Sequence, residues 1–522
     1  MTKSTFAEHC RELAQQFLQT AIVVDDEAFT AEDGSTVGPI TAPGRRRPSP
    51  PVDEDDAAPR SGRHSLDTKA IIDGFASLGV ICGAIGPTTP AMATIRQADI
   101  VVLDWLLKRD DPEYALTLLM DILTAEPDRN ALRLVAFYTG EAELDRIRDH
   151  IVTELKAADL EPAVPDDATV TYGHGRIVLY AKPSVNLPRA LQNRQVPEGE
   201  LPQRLIEDFA GLTVGLLPSI ALASLTAVRE SAHVVLDTFR ADLDPAFLAH
   251  RACLANPDEA EQHMVASIAS ELRSVMEYAV ADEQPAGRTP ITQWIGARTH
   301  ASQGFKFGKR TLQLAEAVSL ATDGLGATGS AKFWERNFER LSVGFGDRDG
   351  EALDERLAWI MASRTVYDTP PPRLWLGTVI ARLSGRADEN DELLICLRPR
   401  CDSVRLHGRT SFGFLPLVEP ERGQVQLIVR SKGEYRRRGV GWDAAGWKVH
   451  AFDPSADADA VLAEKDPTSG RLAFEDAGGN RYEWLGEMKA EWAQRVASAF
   501  ADNLSRPAVD DSEWLRRSAN RR

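Results

Sequence analysis

The sequence predicts an α/β fold for its first third, a doubly wound five-stranded parallel sheet, followed by an all-helical region and a C-terminal mostly β domain. Three observations carry this reading. Five short apolar runs of strand length alternate with amphipathic helical segments between about residues 20 and 181. From about 199 the apolar spacing is helical for some 165 residues. After Pro370-Pro371-Pro372 the chain returns to strand-like runs, and a proline triplet ends regular structure because it removes backbone donors and fixes φ.

Taken in order, an amphipathic helix over about 5–18 leads into Thr20–Val24, an apolar run that ends in Asp25-Asp26-Glu27. Residues 30–64 are rich in Pro, Gly and charge with almost no large apolar side chain, so burial there cannot repay ordering entropy; a disordered insertion is expected. Alternation resumes with a helix at 67–78, a strand at 79–86, a helix at 90–97, a strand at 99–104 and a helix at 112–126. A strand at 132–138, a helix at 141–158 and a strand at 176–181 complete it. Apolar strands separated by helices imply a parallel sheet covered on both faces.

Later helices are expected at 199–210, 216–240, 244–254, 257–281, 307–322, 331–342 and 351–364. Runs such as LWLGTVIARL, DELLICLRP, QVQLIVRS and WKVHAF read as strands, closed by a helix at 486–504. The expected blocks are 1–190, 199–365, 373–505 and a tail at 506–522.

Composition narrows the class. With 522 residues, 43% of them hydrophobic, the chain can fill two or three cores. A formal net charge of −18 repels nucleic acid and anionic membranes unless a local basic patch overrides it, which favours a protein partner. Five scattered cysteines (Cys10, Cys82, Cys253, Cys396, Cys401) argue against a secreted disulfide framework. The N-terminal MTKSTFAEHCRELAQQF lacks the apolar stretch of a signal peptide, so a cytoplasmic location is expected. Phe209–Val228 carries no charge and approaches a spanning length, but Pro218, two glycines, four hydroxyl residues and charged flanking helices favour a buried helix.

In an open α/β sheet, ligands bind beyond the carboxyl ends of the strands. Those ends carry Asp25 and Asp26, Asp104, Thr139, and Lys182 followed by Pro183. This set resembles bacterial two-component receiver domains, flavodoxin-like modules with an acidic pair, a phosphoacceptor Asp, a Thr or Ser and a Lys-Pro at the same strand ends. The resemblance covers the first third. It implies Asp104 as phosphoacceptor, with Mg²⁺ held by Asp25, Asp26, Asp104 and the main-chain carbonyl of Leu106. Lys182 would pair with the phosphoryl oxygens, and the Thr139 hydroxyl would bind another of them and shift on modification. It also implies a response-regulator-like role with a histidine kinase or GHKL-type ATPase partner. The layout looks like receiver proteins encoded beside such ATPases in bacterial conflict or phage-defence loci.

Three departures bear on phosphorylation: the 30–64 insertion, Gly140 where a small Ala is usual, and Leu179 where an aromatic switch residue often sits, with Tyr180 one position off. A phosphorylation-independent scaffold is therefore an alternative. A third reading makes 199–522 an output held in check by the first third.

Other constellations are weaker. Cys396, Cys401 and His407 have spacing that fits structural zinc poorly, and strand-core cysteines are the simpler reading. The stretch Arg430–Arg438, with Trp442 and Trp447, has the mix of a single-stranded nucleic-acid surface, yet a charged hairpin tip explains it as well. Lys306, Lys309 and Arg310 read as a solvated patch at a helix start. No P-loop, His-Glu-x-x-His, Gly-x-Ser-x-Gly or kinase motif is present, so no output enzyme is recognisable.

Overall fold

A computed structural model describes residues 5–25, 66–86, 92–107, 112–124, 132–254, 256–257, 259–298, 304–328, 332–333, 341–346 and 350–365. It further describes 371–383, 392–420, 425–431, 433–442, 446–456, 458–467, 470–505 and 516. The insertion expected at 30–64 and nearly all of the 506–522 tail lie outside these residues.

Helix α1 (Phe6–Phe17) starts at a capping box in which the Thr5 hydroxyl accepts from Glu8 N–H while Glu8 accepts from Thr5 N–H. There follow β1 (Thr20–Val24), α2 (Thr68–Ser77), β2 (Ile81–Ile85), α3 (Met92–Ile95), β3 (Ile100–Leu103) and α4 (Pro112–Thr124). β4 (Leu134–Thr139), α5 (Leu144–Ala157), β5 (Pro162–Asp166), β6 (Thr169–Tyr172) and β7 (Gly175–Ala181) complete the sheet, whose order is β2-β1-β3-β4-β7-β6-β5. The five expected strands are all present and mutually parallel in the doubly wound 2-1-3-4-5 order. β1, β3 and β4 are buried almost throughout because helices cover both faces.

The antiparallel β5–β6 hairpin extends one edge and was not expected: its PAVPDD opening reads as loop. It is held locally, since Asp166 Oδ1 accepts from Ala168 N–H and Arg194 pairs with Asp166. Of its two strands, β5 is mostly exposed.

The two faces have separate cores. On one, α3, α4 and α5 pack on Val101, Leu103, Val135, Phe137, Ile177 and Leu179. On the other, α1 and α2 pack on Val23, Val102, Ala136, Tyr138, Val178 and Tyr180, together with α6 (Leu201–Leu212) through Leu205, Ile206 and Phe209. Helix α6 thus belongs to the sheet's layering.

Beyond it run α7 (Leu216–Thr238), α8 (Asp244–Cys253), α9 (Glu259–Glu283) and α10 (Arg288–Gly296). The uncharged Phe209–Val228 stretch is split between α6 and α7, and among the described residues no single helix is long and apolar enough to cross a membrane. α10 was not expected; its Pro290 occupies the first turn, where no intrahelical N–H bond is lost.

The helix expected from 307 begins instead as a hairpin, β8 (Phe305–Phe307) and β9 (Arg310–Leu312), before α11 (Leu314–Asp323). Gly308 at φ +61° makes its turn, and Phe305, Phe307 and Leu312 are buried. Lys306, Lys309 and Arg310 therefore lie on this hairpin and not at a helix start. Of the helix expected at 331–342, residues 331 and 334–340 lie outside the described ones; α12 (Leu341–Phe345) and α13 (Gly350–Ala362) follow. A Cβ on Gly344 would meet the Phe307 ring at 2.1 Å, so only glycine fits there.

The last part is a nine-stranded sheet from β10 (Thr378–Arg382), β11 (Leu393–Cys396), β12 (Thr410–Val418), β13 (Leu427–Ser431), β14 (Glu434–Val440) and β15 (Lys448–Phe452). β16 (Glu464–Lys465), β17 (Leu472–Glu475) and β18 (Arg481–Glu487) complete it. Its pairings are antiparallel, in the order β13-β14-β12-β11-β10-β18-β17-β16, with β15 on β12. Helix α14 (Ala490–Ser505) covers one face through Ala493, Val496 and Phe500; Phe412, Phe414, Phe452 and Tyr482 fill the other. By internal contacts the chain forms two compact units, Met1–Ser302 with Leu314–Thr328, and Gln303–Gln313 with Gly329–Arg522.

Candidate functional site

The register of the parallel strands decides which side chains meet. Val24 pairs with Leu103, and Asp104 N–H donates to the Val24 carbonyl, so Asp25 and Asp104 follow one another at adjacent strand ends. Both are buried, at 2% and 7% exposure. On the far side of β3, Thr139 ends β4 and Lys182 follows β7, with Lys182 N–H donating to the Thr139 carbonyl at 2.8 Å. The four side chains come from four neighbouring strands and converge on one end of the sheet. That follows from the parallel topology, which turns every strand the same way.

Lys182 Nζ donates to Asp104 Oδ2 at 2.8 Å, and both side chains are buried. The other carboxylate oxygen, Oδ1, accepts from Leu106 N–H at 3.1 Å. A buried charge pair is held this way because removing one partner strands the other in a low-dielectric site. The Thr139 hydroxyl accepts from Glu141 N–H at 3.1 Å, which fixes the start of the β4–α5 connection. Asp26 lies outside the described residues.

The donor set is right in kind for a hard divalent cation: two carboxylates on adjacent strand ends. Among the described residues no group of three or more His, Cys, Asp or Glu side chains gathers. Asp26, the third acid expected from the sequence, directly follows Asp25 in the chain.

Several neighbours escaped sequence reasoning. Trp105, directly after Asp104, is buried and meets Phe137 edge-on at 5.4 Å, walling the site on the α5 side. Tyr138 donates to the Val196 carbonyl at 2.8 Å, and burial pushes its phenol well above the usual range. Tyr180 donates to Asp208 Oδ2 on α6 at 2.6 Å, with the Arg194 guanidinium 5.3 Å from its ring centroid. Burial raises the Asp208 carboxyl against the opposing pull of Tyr180, Arg194 and Arg176. Asp208 sits on a predicted helix among other acids, and a single sequence gives no sign of its partner.

Leu179 and Tyr180 face opposite sides of the sheet. Leu179 packs with Phe137 in the α4–α5 core, and Tyr180 is held on the α1–α6 side. No aromatic ring therefore occupies the strand position three before Lys182.

The other candidates disperse. Cys396 is fully buried in β11, its thiol pushed up to about 12 by burial, whereas Cys401 is exposed in a turn, so only one of the two is a strand-core cysteine. Three of the four arginines of the β13–β14 hairpin form ion pairs: Arg437 with Glu355 of α13 at 2.9 Å, Arg438 with Glu419 at 2.7 Å and Arg436 with Glu434 at 3.1 Å, while Arg430 lies 5.8 Å from the Trp359 and Tyr435 ring centroids. The three pairs offset part of the positive charge that a nucleic-acid surface would need.

Residues 17–187 match the family model of the response receiver domain. No curated protein matches the chain. The family match and the strand order agree, and the N-terminal part of the chain is a receiver domain with a response-regulator-like signalling role.

Proposed function

We propose that the receiver is a working phosphoacceptor, with Asp104 as the modified residue, and that its state governs how the rest of the chain engages another protein. The observation that carries this is the buried Lys182–Asp104 pair beside Asp25, at the ends of adjacent parallel strands. In the reaction an Asp104 oxygen attacks the phosphorus of a phosphohistidine or a small acyl phosphate. The bond from phosphorus to the donor breaks, the donor leaves with its electron pair, and Asp104 becomes an acyl phosphate.

Lys182 already points its ammonium at Asp104, so it is placed to follow the new charge onto a phosphoryl oxygen. Thr139 offers a hydroxyl at the next strand end, and turning it toward the phosphoryl group would release Glu141 N–H and loosen the β4–α5 connection. Asp25, Asp26, Asp104 and the Leu106 carbonyl would hold Mg²⁺, which when bound neutralises charge on the phosphoryl oxygens. The donor is a histidine kinase or a GHKL-type ATPase partner, and the setting a bacterial cytoplasm, in two-component or defence signalling. The organisation of the chain into receiver, helical and β blocks belongs to the same reading.

One observation favours a second reading, a scaffold that works without phosphorylation: Tyr180 is tied to Asp208, and Leu179 stands where a switching aromatic would move. Intact mass after incubation with Mg²⁺ and acetyl phosphate separates the two. One labile phosphoryl adduct, absent in Asp104→Asn, is the expected result. No adduct from either the small donor or a cognate kinase, with no Mg²⁺ binding, would leave the scaffold.

A further inference from the structure

We infer that α7 is a homodimerisation helix, pairing antiparallel with α7 of a second copy of this chain. The helix uses three of its sides differently. Ser219, Leu222, Ala223 and Thr226 are buried, and Arg229 anchors this half of the helix to the receiver by donating to the Phe17 carbonyl at 2.7 Å and lying 4.2 Å from the Phe17 ring. A second side packs along α9. The third carries Leu217, Ala221, Leu225, Val228, Ala232 and Leu236.

These six recur at intervals of 4, 4, 3, 4 and 4, which places them on one stripe of a coiled-coil-like seam. Leu217, Leu225 and Leu236 are 61%, 49% and 73% exposed; Ala221 and Ala232 are exposed and Val228 half-buried. None of the charged residues of α7 occupies a stripe position.

The identity of the partner follows from the order of sizes along the stripe: large, small, large, large, small, large. That order reads the same in both directions. A two-fold axis midway between Leu225 and Val228 sets Leu217 against Leu236, Ala221 against Ala232 and Leu225 against Val228, so that large meets large at the ends and centre and the small pairs let the backbones approach. Self-complementarity of this kind is what an isologous two-fold interface requires. Area agrees. Twenty-three residues make a helix about 35 Å long, and with α9 alongside the face is about 20 Å wide, roughly 700 Å² per copy, close to the ~800 Å² of a stable interface. Two such helical pairs form a four-helix bundle. The pairing does not depend on the chemistry at Asp104.

The test is sedimentation of the full chain at tens of micromolar, followed by site-directed crosslinking. A dimer is expected, and Leu225→Glu or Ala232→Glu should weaken association by roughly a hundredfold or more, because the axis buries two uncompensated charges. Circular dichroism of both variants checks folding; Ala232 lies beyond Arg229, the last of the receiver contacts named for α7. Val164→Glu, an exposed change on β5 away from both helices, should leave the dimer intact. In a Cys253→Ser/Cys401→Ser background, a mixture of Ala221→Cys and Ala232→Cys chains should join through a short bis-maleimide. Neither should crosslink alone, since like positions lie about 16 Å apart along the antiparallel pair. A chain that stays monomeric, a dimer indifferent to both glutamate variants, or efficient crosslinking of Ala221→Cys to itself would each overturn the proposal.

Discussion

At the residue scale, the Lys182–Asp104 pair dominates the site, and its energetics run in an unintuitive direction. A buried pair adds little net stability, but halving it leaves an unmatched charge. Lys182→Ala and Asp104→Asn should therefore each destabilise the receiver by about 3–5 kcal/mol, since each leaves the other's charge without its partner. Urea melts of both variants check this, and a loss close to zero from either would mean that the ion pair is not what the lysine is buried for. A second residue-scale prediction concerns His450 in the β domain, where Tyr482 and Asp476 meet its ring. Burial lowers the His450 pKa despite the attraction of Asp476; in Asp476, hydrogen bonds from Asn480 and Gly478 outweigh burial and hold the carboxyl low. Both folded pKa values lie below the unfolded ones, so the unfolded chain binds more protons and both contributions are lost as pH falls. The His450 contribution is lost as pH falls below about 6.5 and the Asp476 contribution as it falls below about 4. Thermal melting from pH 7 to 5 should show a fall in Tm that His450→Gln reduces.

The element scale is where the sequence and the structure part most clearly over organisation. The family match ends at residue 187, and the chain pattern changes near 199, yet α6 covers one face of the receiver sheet. Phe209 is fully buried there and stacks with Phe17 at 6.2 Å. A fragment ending at 190 should expose that face and aggregate or fold poorly, whereas one ending near 285, which keeps α6, α7 and the α9 that packs along α7, should be soluble and monodisperse. Within the full chain, Phe209→Ala should cost about 3–5 kcal/mol of receiver stability. A well-folded 1–190 fragment would show that α6 is dispensable. The helix was legible as a helix from its apolar spacing, but which core it served was not, since an amphipathic stripe does not name its partner.

For the molecule as a whole, charge is the feature with the widest consequence. The net charge of −18 sets a repulsive field toward polyanions, and in the Arg430–Arg438 stretch Arg436, Arg437 and Arg438 are paired with Glu434, Glu355 and Glu419. Fluorescence polarisation with a single-stranded oligonucleotide at low salt should accordingly show no binding in the micromolar range. Tight, salt-sensitive binding would reopen a nucleic-acid-directed output. The same scale is where signalling is read. If the receiver governs the remainder, acetyl phosphate treatment should alter the protease sensitivity of the full chain, and Asp104→Asn should abolish that change.

By itself the sequence determined the five parallel strands, their alternation with helices, and the acids, threonine and lysine at their ends, because strand length, apolar periodicity and strand-end chemistry are local properties. It also determined the family to which residues 17–187 are matched. Only the tertiary structure decided that Lys182 closes on Asp104 across 78 residues of chain, that Leu179 and Tyr180 face different cores, that α6 belongs to the receiver's layers, and that Cys401 stands exposed while Cys396 is buried. Each of these depends on register or on the choice of packing partner. Both are fixed by contacts between segments distant in sequence, where periodicity says which face is apolar and not what will cover it.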